Sequence, residues 1–510
     1  MKVNLIYKSC FSASFEIVNE DRYFNSFSFN VYLNNELVLE NINTNVFSLY
    51  NLKSDSLYFI SFSDERLESF SFKTDRCDCL VDVDDFNVYK DGIHNDTLAL
   101  QAAIYSCLDG GCVYIKKGIY LVDSLFIKSN VSIYLEKGVL IKGTNDRKAM
   151  FPPLLNDDTI LGSFEGENEK IYTSLINIIN QKNVNIFGEG IIDGNAINTT
   201  WWEEGKRKVR YRPRLIYICN SENINLEGIS VCNSPSWTIH PLRSDDINII
   251  DLKIVNPKDS VNTDGCNPES CHRVNIIGTY FSVGDDCIAI KSGKLEVSKK
   301  YYRECKDINV RNCYMKDGHG ALVIGSEMSC GVYNINVSKC IFDSTDRGLR
   351  IKTRRGRGSY AIIRNLVFEN IYMKDVLNNF VINMYYFCDI DGKSPYVYRK
   401  DIYKVEEDIP YLENFHFRNI ECKDTLVSAG FFYGLSERYI ESIKLENITV
   451  SFKESLVYDY PAMMDFIDKV NRLGFYFNSI NKVEINNVKV INQRGDQFIF
   501  ENVHEIKGDI

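Results

Sequence analysis

One pattern recurs along this chain and leaves few folds open to it. The segments "NVSIYLEKGVLIKG", "NVNIFGEGIIDG", "NINLEGISVCN", "DINIIDLKIVN", "RVNIIGTYFSVG", "DINVRNCYMKDG" and "NINVSKCIFDS" begin at residues 130, 183, 223, 246, 273, 307 and 334. In most of them Asn or Asp leads a β-branched run, a Gly or Asn turn follows, and a second short run closes the unit. "IIRNLVFENIYMKD", "LENFHFRNIECKD", "IESIKLENITVSF" and "VEINNVKVIN" carry the pattern toward the C-terminus. Units that recur mostly every 25 to 40 residues or so, and cannot bury a face alone, stack as coils of a solenoid. The expected fold class is all-β: a right-handed parallel β-helix over residues 77–510. A β-propeller is the alternative, but the turns within these units lack the Asn-Gly and Asp-Gly signals of its antiparallel hairpins.

The two ends of this solenoid read differently. "HNDTLALQAAIYSCLDGG" predicts a short helix, capped at Asn95 or Asp96 and ended by Gly110 and Gly111, that covers the open N-terminal end. Leu98, Ala102 and Tyr105 form its apolar stripe. Residues 1–76 predict a separate β-sandwich, because "FSFNVYLNNELVLENINTNVFSLYNLKSDSLYFISF" alternates apolar and polar residues between Asn, Ser and Asp turns. "YNLKSDSLYFISF" resembles the corner of a fibronectin type III domain, with Leu52 and Tyr58 in its leucine and tyrosine places. That family's core tryptophan has no counterpart here, since Trp201, Trp202 and Trp237 all come later.

A net charge of −10 gives no general attraction to nucleic acid or to an anionic membrane, so neither is expected as a partner. The opening residues show no apolar signal-peptide core. The 16 cysteines are scattered, and Cys77 and Cys79 lack a second pair for a zinc site. A cytoplasmic protein with reduced thiols is the expectation, or a secreted one if residues are missing before this start.

The stretch "VGDDCIAIKSG" sets Asp285 beside Asp286 in an apolar run, where two like charges repel. Positions one coil apart lie about 4.8 Å from each other in a β-helix. Asn262 and Asp264 in "SVNTDGCNPES", Asp285 and Asp286, His319 in "DGHGALVIGSE", and Arg350 and Lys352 in "RGLRIKTRRGRG" fall on successive coils at one angular position. His240 in "NSPSWTIHPL" precedes Asp264 by about a coil and extends the row.

"NTD", "GDD", "GHG" and "RIK", in this order, resemble the signatures of the polygalacturonase family, glycoside hydrolases that cut pectin. The likeness runs from about residue 80 to 500, and "HNDTLALQAAI" and "CVYIKKGIYLVDSL" share it. It implies an inverting hydrolase of α-1,4-galacturonosidic bonds that needs no cofactor and no metal. It makes Asp285 the general acid, Asp264 and Asp286 the activators of water, and His319 a residue that tunes the acid. Asp286 would raise the pKa of Asp285 by its charge, and Gly284 would let the backbone turn. Two carboxyls on adjacent coils would leave the gap of about 6.5–9.5 Å that an inverting enzyme needs for water. Arg350 and Lys352 would hold the galacturonate carboxylate, and Tyr385 or Tyr386 in "INMYYF" would touch the sugar, as would Asn262 and His240. Arg354, with Arg355 and Arg357, is either a further subsite or a solvated strand edge. Trp201 and Trp202 either stack on a sugar or fill the core.

Irregular stretches near 145–172, 196–214, 387–410 and 452–474 predict loops over one face, which could wall off a groove and make the enzyme cut galacturonate oligosaccharides or pectin from chain ends. The sandwich module could sit at that same end. An endo-acting polygalacturonase, a rhamnogalacturonan hydrolase, a calcium-dependent pectate lyase and a non-catalytic β-helix binding protein are the competing readings.

Overall fold

A computed structural model of the protein describes residues 1–146, 162–168, 171–203, 212–401 and 408–509. Parts of the expected loops near 145–172, 196–214 and 387–410 lie outside these residues. From Leu80 onward the chain is a right-handed parallel β-helix. Ile224, Ile247, Val274, Ile308, Ile335, Leu366, Phe415, Ile443 and Val483 are register partners in succession, and all are buried. The neighbouring outward row is Asn185, Asn225, Asn248, Asn275 and Asn309, whose side-chain amides bond from coil to coil at 2.8, 2.8, 2.9 and 3.3 Å.

The residue that leads each repeat has a structural reason. Asn130, Asn183, Asn223, Asp246, Arg273, Asp307 and Asn334 all have φ between 54° and 60°. Short polar side chains tolerate this left-handed conformation, so Asn and Asp recur where each coil turns a corner. A second left-handed corner follows at Gly228, Asp251, Gly278, Asn312 and Lys339.

The N-terminal helix runs over Thr97–Ser106. Its buried side is Leu100, Ala103 and Ile104, while Leu98 is 85% and Tyr105 58% exposed, so the expected stripe of Leu98, Ala102 and Tyr105 faces outward instead. The Asp96 carboxyl is turned away from the helix and accepts from the Tyr89 and Lys90 amides at 2.6 and 3.1 Å.

The first residues form two packed sheets. One contains Val3–Lys8, Ala13–Ile17 and Val46–Leu49, and the other Phe24–Leu33, Glu36–Thr44, Leu57–Phe62 and Phe70–Lys73. Phe15, Phe29, Phe47, Ile60 and Phe72 fill the space between them. Leu52 is buried, and the Tyr58 hydroxyl accepts from the Lys53 amide at 2.7 Å.

This module lies along the side of the β-helix, against its row of second corners. Glu227 is fully buried there and accepts from Ser12 Oγ at 2.9 Å and Ser14 Oγ at 2.7 Å. Ser48 donates to Asp251 at 2.7 Å, and Arg311 holds Glu16 through two bonds of 2.8 and 2.9 Å. Gly228, with φ of 75°, passes so close under Tyr50 that a Cβ would sit 1.9 Å from its hydroxyl. The expectation that the module sits at the end of the cleft is corrected by this placement, since none of these corners lines the cavity described below.

Burial pushes the Glu227 carboxyl up to about 8, against about 4.3 in an unfolded chain. Its protonated form is the one the fold accepts, so its share of stability is present at low pH and is lost as pH rises from about 4.3 through 8. Glu227→Gln should therefore melt ever higher relative to wild type over this range, with a lead of at least a few degrees at pH 8. A constant difference at all pH values would contradict the assignment.

Candidate active site

Successive coils deliver the charged residues to one place. Ile288, Leu322, Leu349 and Phe380 stack as register partners beneath the site. The Gly265 amide donates to Asp286 O at 3.0 Å, Cys287 to Gly320 O at 2.8 Å, and Ala321 to Arg347 O at 2.9 Å. These rungs fix Asp264, Asp286 and His319 at one angle of the solenoid. Arg350 and Lys352, two apart on Arg347–Lys352, pair with Val323 and Gly325 and point to the same side.

The result is a cavity of about 180 Å³. Asn262, Asp264, Asp285, Asp286, His319, Arg350 and Lys352 all line it, as expected from the sequence. The adjacent aspartates lie in a bend between Tyr280–Ser282 and Ile288–Ile290, so neither carboxyl points into the apolar core. Gly284 precedes them for want of room, not for an unusual φ: a Cβ there would lie 2.4 Å from Ser260 O. Gly320 is needed for the same reason, because a Cβ would meet Val323 at 2.3 Å and Asp286 at 3.3 Å.

Three expected contacts are corrected. His240 is fully buried outside the cavity, bonded to Glu269 at 3.0 Å, and burial lowers its pKa to about 4. Tyr385 points inward to Ser436 at 3.2 Å, and it is Tyr386 that lines the cavity. Arg354 is held by Asp391 at 2.7 Å, as Arg357 is by Asp389 at 2.9 Å, so these guanidiniums anchor the 387–391 segment and do not line this cavity. Trp201 is core, in edge contact with Tyr172.

The cavity also holds residues that sequence reasoning left unassigned: Trp237, Lys291, Lys294, Glu327, Glu165 and Asp389. For Lys291 a signal was available, because a lysine at the end of the apolar run "CIAIK" is as unusual as the aspartates that open it.

The electrostatics differ from the expectation that Asp286 would keep Asp285 protonated. Lys352 Nζ lies 3.1 Å from Asp286 Oδ2, and Arg350 lies 3.9 Å from its Oδ1. Asp285, whose side chain is 23% exposed, has burial raising its pKa, but His319 Nδ1 at 3.4 Å outweighs that and brings it to about 2. The His319 imidazole is raised in turn by this bond. Asp264 is pushed up to about 8, first by burial and then by the charge of Asp285. Its Oδ2 accepts from Asn267 at 2.9 Å, and among the described residues its Oδ1 has no hydrogen-bond partner. Of Asp264 and Asp285, Asp264 is thus the one whose surroundings favour the protonated form.

One oxygen each of Asp264, Asp285 and Asp286 lie within 4.8 Å of one another. Such a trio could hold a cation, but Lys352 and Arg350 already occupy the Asp286 side. Millimolar calcium should leave the melting temperature unchanged. A saturable upward shift that Asp286→Asn abolishes would reveal a cation site.

Known proteins share both sequence and fold with this chain. The family profile described as Glycosyl hydrolases family 28 matches residues 114–398. A protein of Vitis vinifera described as a probable polygalacturonase is 32% identical over 300 residues, covering 57% of this chain and 60% of that one. The chain thus spans less than two thirds of that relative. An endo-polygalacturonase of Pectobacterium carotovorum subsp. carotovorum is 30% identical over 304 residues, covering 57% and 72%. The family 28 exopolygalacturonase of Yersinia enterocolitica superposes with a TM-score of 0.75 at 19% identity, covering 99% of this chain and 97% of that one.

Proposed function

Given that the chain belongs to glycosyl hydrolases family 28, we propose that it hydrolyses α-1,4-galacturonosidic bonds in oligogalacturonates or pectin, with inversion and from chain ends. One observation carries the substrate reading. Three aspartates share a small cavity with Arg350, Lys352, Lys291 and Lys294, an unusual density of cations in an acidic protein. A sugar that bears a carboxylate on every ring suits such a cavity, and Arg350 with Lys352 would take that carboxylate. Tyr386 lies under both cations, 5.6 and 5.7 Å from its ring centre, and keeps them aimed at the cavity.

The proton follows from the same geometry. At rest it favours Asp264 over Asp285. Moved to Asp285, it makes the productive state: Asp285 protonates the glycosidic oxygen, and the carboxylates of Asp264 and Asp286 accept the proton of the attacking water. Asp285 suits the acid role because it is the most exposed of the three, with His319 beside it as a proton source. A bound galacturonate, by its own charge and by displacing water, raises the Asp285 pKa toward the working range.

The oxygens within 4.8 Å are closer than the gap of about 6.5–9.5 Å expected for an inverting pair. The charges still favour inversion over a covalent intermediate. Asp286 is engaged by Lys352 and Asp264 is bonded to Asn267, so each carboxylate is held in place, and together they can hold and deprotonate a water.

Two walls support cutting from chain ends. The Ser163–Phe164 and Glu167–Asn168 hairpin is tied down by Arg214 to Ser163 O at 2.6 Å and by the Lys294 amide to Gly166 O at 3.0 Å. The 387–391 segment is tied by Arg354 and Arg357, and by Lys294 to Asp389 at 3.0 Å. Both supply residues to the cavity. Its volume falls below the 300 Å³ or so of an ordinary ligand pocket and suits a single sugar ring.

Incubation with polygalacturonate, followed by proton NMR and viscometry, tests all three parts. The expected outcome is monomer or dimer from the first minutes, released as the β-anomer, in a solution that stays viscous. A rapid fall in viscosity with intermediate oligomers would establish an endo-acting enzyme. Initial α-anomer would establish retention, and no cleavage would overturn the substrate.

A further inference from the structure

The floor of the cavity carries a second charged pair that the steps above leave unused. Lys291 follows directly on the Ile288–Ile290 strand, and its ammonium lies 3.4 Å from Glu327 Oε2. The two residues are only 3% and 6% exposed. The ammonium also rests 4.9 Å from the Trp237 ring centre, and the Arg214 guanidinium lies 4.3 Å from that centre, so the ring is held. A buried ion pair is costly in desolvation, and apolar residues would build a floor as well or better. The pair is therefore better explained by what its charge does.

Lys291 and Glu327 line the same small cavity as Asp264, Asp285 and Asp286, so their charges lie close to the reacting groups. Burial would lower the Lys291 pKa, but Glu327, Asp264, Asp286 and Glu269 hold it up. Glu327 in turn is brought down to about 2 against its burial by Lys291, Lys352 and Lys294. Glu269 is already bonded to His240. Among the described residues Asp264 Oδ1 has no hydrogen-bond partner, so a nearby cation is what remains to favour its ionised form.

We propose that Lys291, with Glu327 as its counter-ion, sets where the proton shared by the three aspartates resides, drawing it off Asp264 and so toward Asp285. Lys291 is a positioning residue: it acts through the aspartates and has no need to touch the sugar. Glu327 tempers it, since an uncompensated ammonium would hold all three carboxylates ionised and leave no acid. This rests on the hydrolase reading above.

Two variants with opposite signs test it. Lys291→Met keeps the chain length and removes the cation, which raises the carboxylate pKa values. Glu327→Gln removes the anion and lowers them. The readouts are the pH profile of kcat and KM on a galacturonate oligomer, and the titration of the aspartate side chains by carbon NMR of γ-carbon-labelled protein without substrate. Lys291→Met should lose about tenfold or more in kcat with KM within about threefold, and its acidic limb should rise by about one pH unit. Glu327→Gln should move that limb down, and Lys291→Arg should keep the wild-type limb. The highest-titrating aspartate should follow the same directions. Limbs and titrations that stay at the wild-type values, or that move the same way in both charge-removing variants, would overturn the proposal. Should Lys291→Met fail to fold, Glu327→Gln and Lys291→Arg still decide by their predicted directions. If wild type cleaves no galacturonan, that reading fails, while the substrate-free titration still decides where the proton sits.

Discussion

Everything in the site depends on the parallel backbone ladder between coils. Each rung fixes the next coil in register, so residues far apart in sequence come to lie one strand spacing apart at a set angle. The rungs from Gly265 to Asp286, from Cys287 to Gly320 and from Ala321 to Arg347 are the local instance. Shift one by a residue and its side chains would face the other way, carrying a carboxylate into the core. The left-handed Asn and Asp corners hold the register, because they make every coil turn at the same place.

Upon this frame the chemistry is one of charge distribution. Three carboxylates in a small buried volume cannot all be ionised without help, and the help is unequal. Asp285 has His319, Asp286 has Lys352 and Arg350, and among the described residues Asp264 has only Asn267 within hydrogen-bond reach. Burial and the charge of Asp285 together favour the protonated form of Asp264. On the proposed reading, the hydrolase works with one mobile proton, and the cations around the aspartates would both receive an acidic sugar and bias that proton.

Much of this was legible in the sequence, for a physical reason. The repeat shows because each corner demands a left-handed residue and each strand an apolar one, so "NINLEG" and "DINIID" mark their coils. Asp264, Asp285, Asp286, His319, Arg350 and Lys352 show because charge has no place in an apolar coil unless a site uses it. What failed was phase. Tyr385 and Tyr386 are neighbours in sequence but face opposite ways, and only the register of their coil decides which meets the cavity. His240 stacks level with Asn267, past the position of Asp264, and bonds to Glu269. Arg354 finds a partner in Asp391, a residue whose position no local pattern gives. The surroundings of the acid are hidden for a similar reason: the adjacency of Asp285 and Asp286 is visible in the sequence, whereas the burial of Asp264 and the His319 contact of Asp285 are not.

The most direct test of the account is a crystal structure of Asp285→Asn soaked with a galacturonate trimer. The variant keeps the shape of the acid and cannot give up a proton, so the substrate should persist. The account predicts a terminal ring inside the cavity, its carboxylate on Arg350 and Lys352, and the first glycosidic oxygen within hydrogen-bond reach of residue 285. A trimer bound with its carboxylates away from that pair, or with no glycosidic oxygen near residue 285, would contradict it.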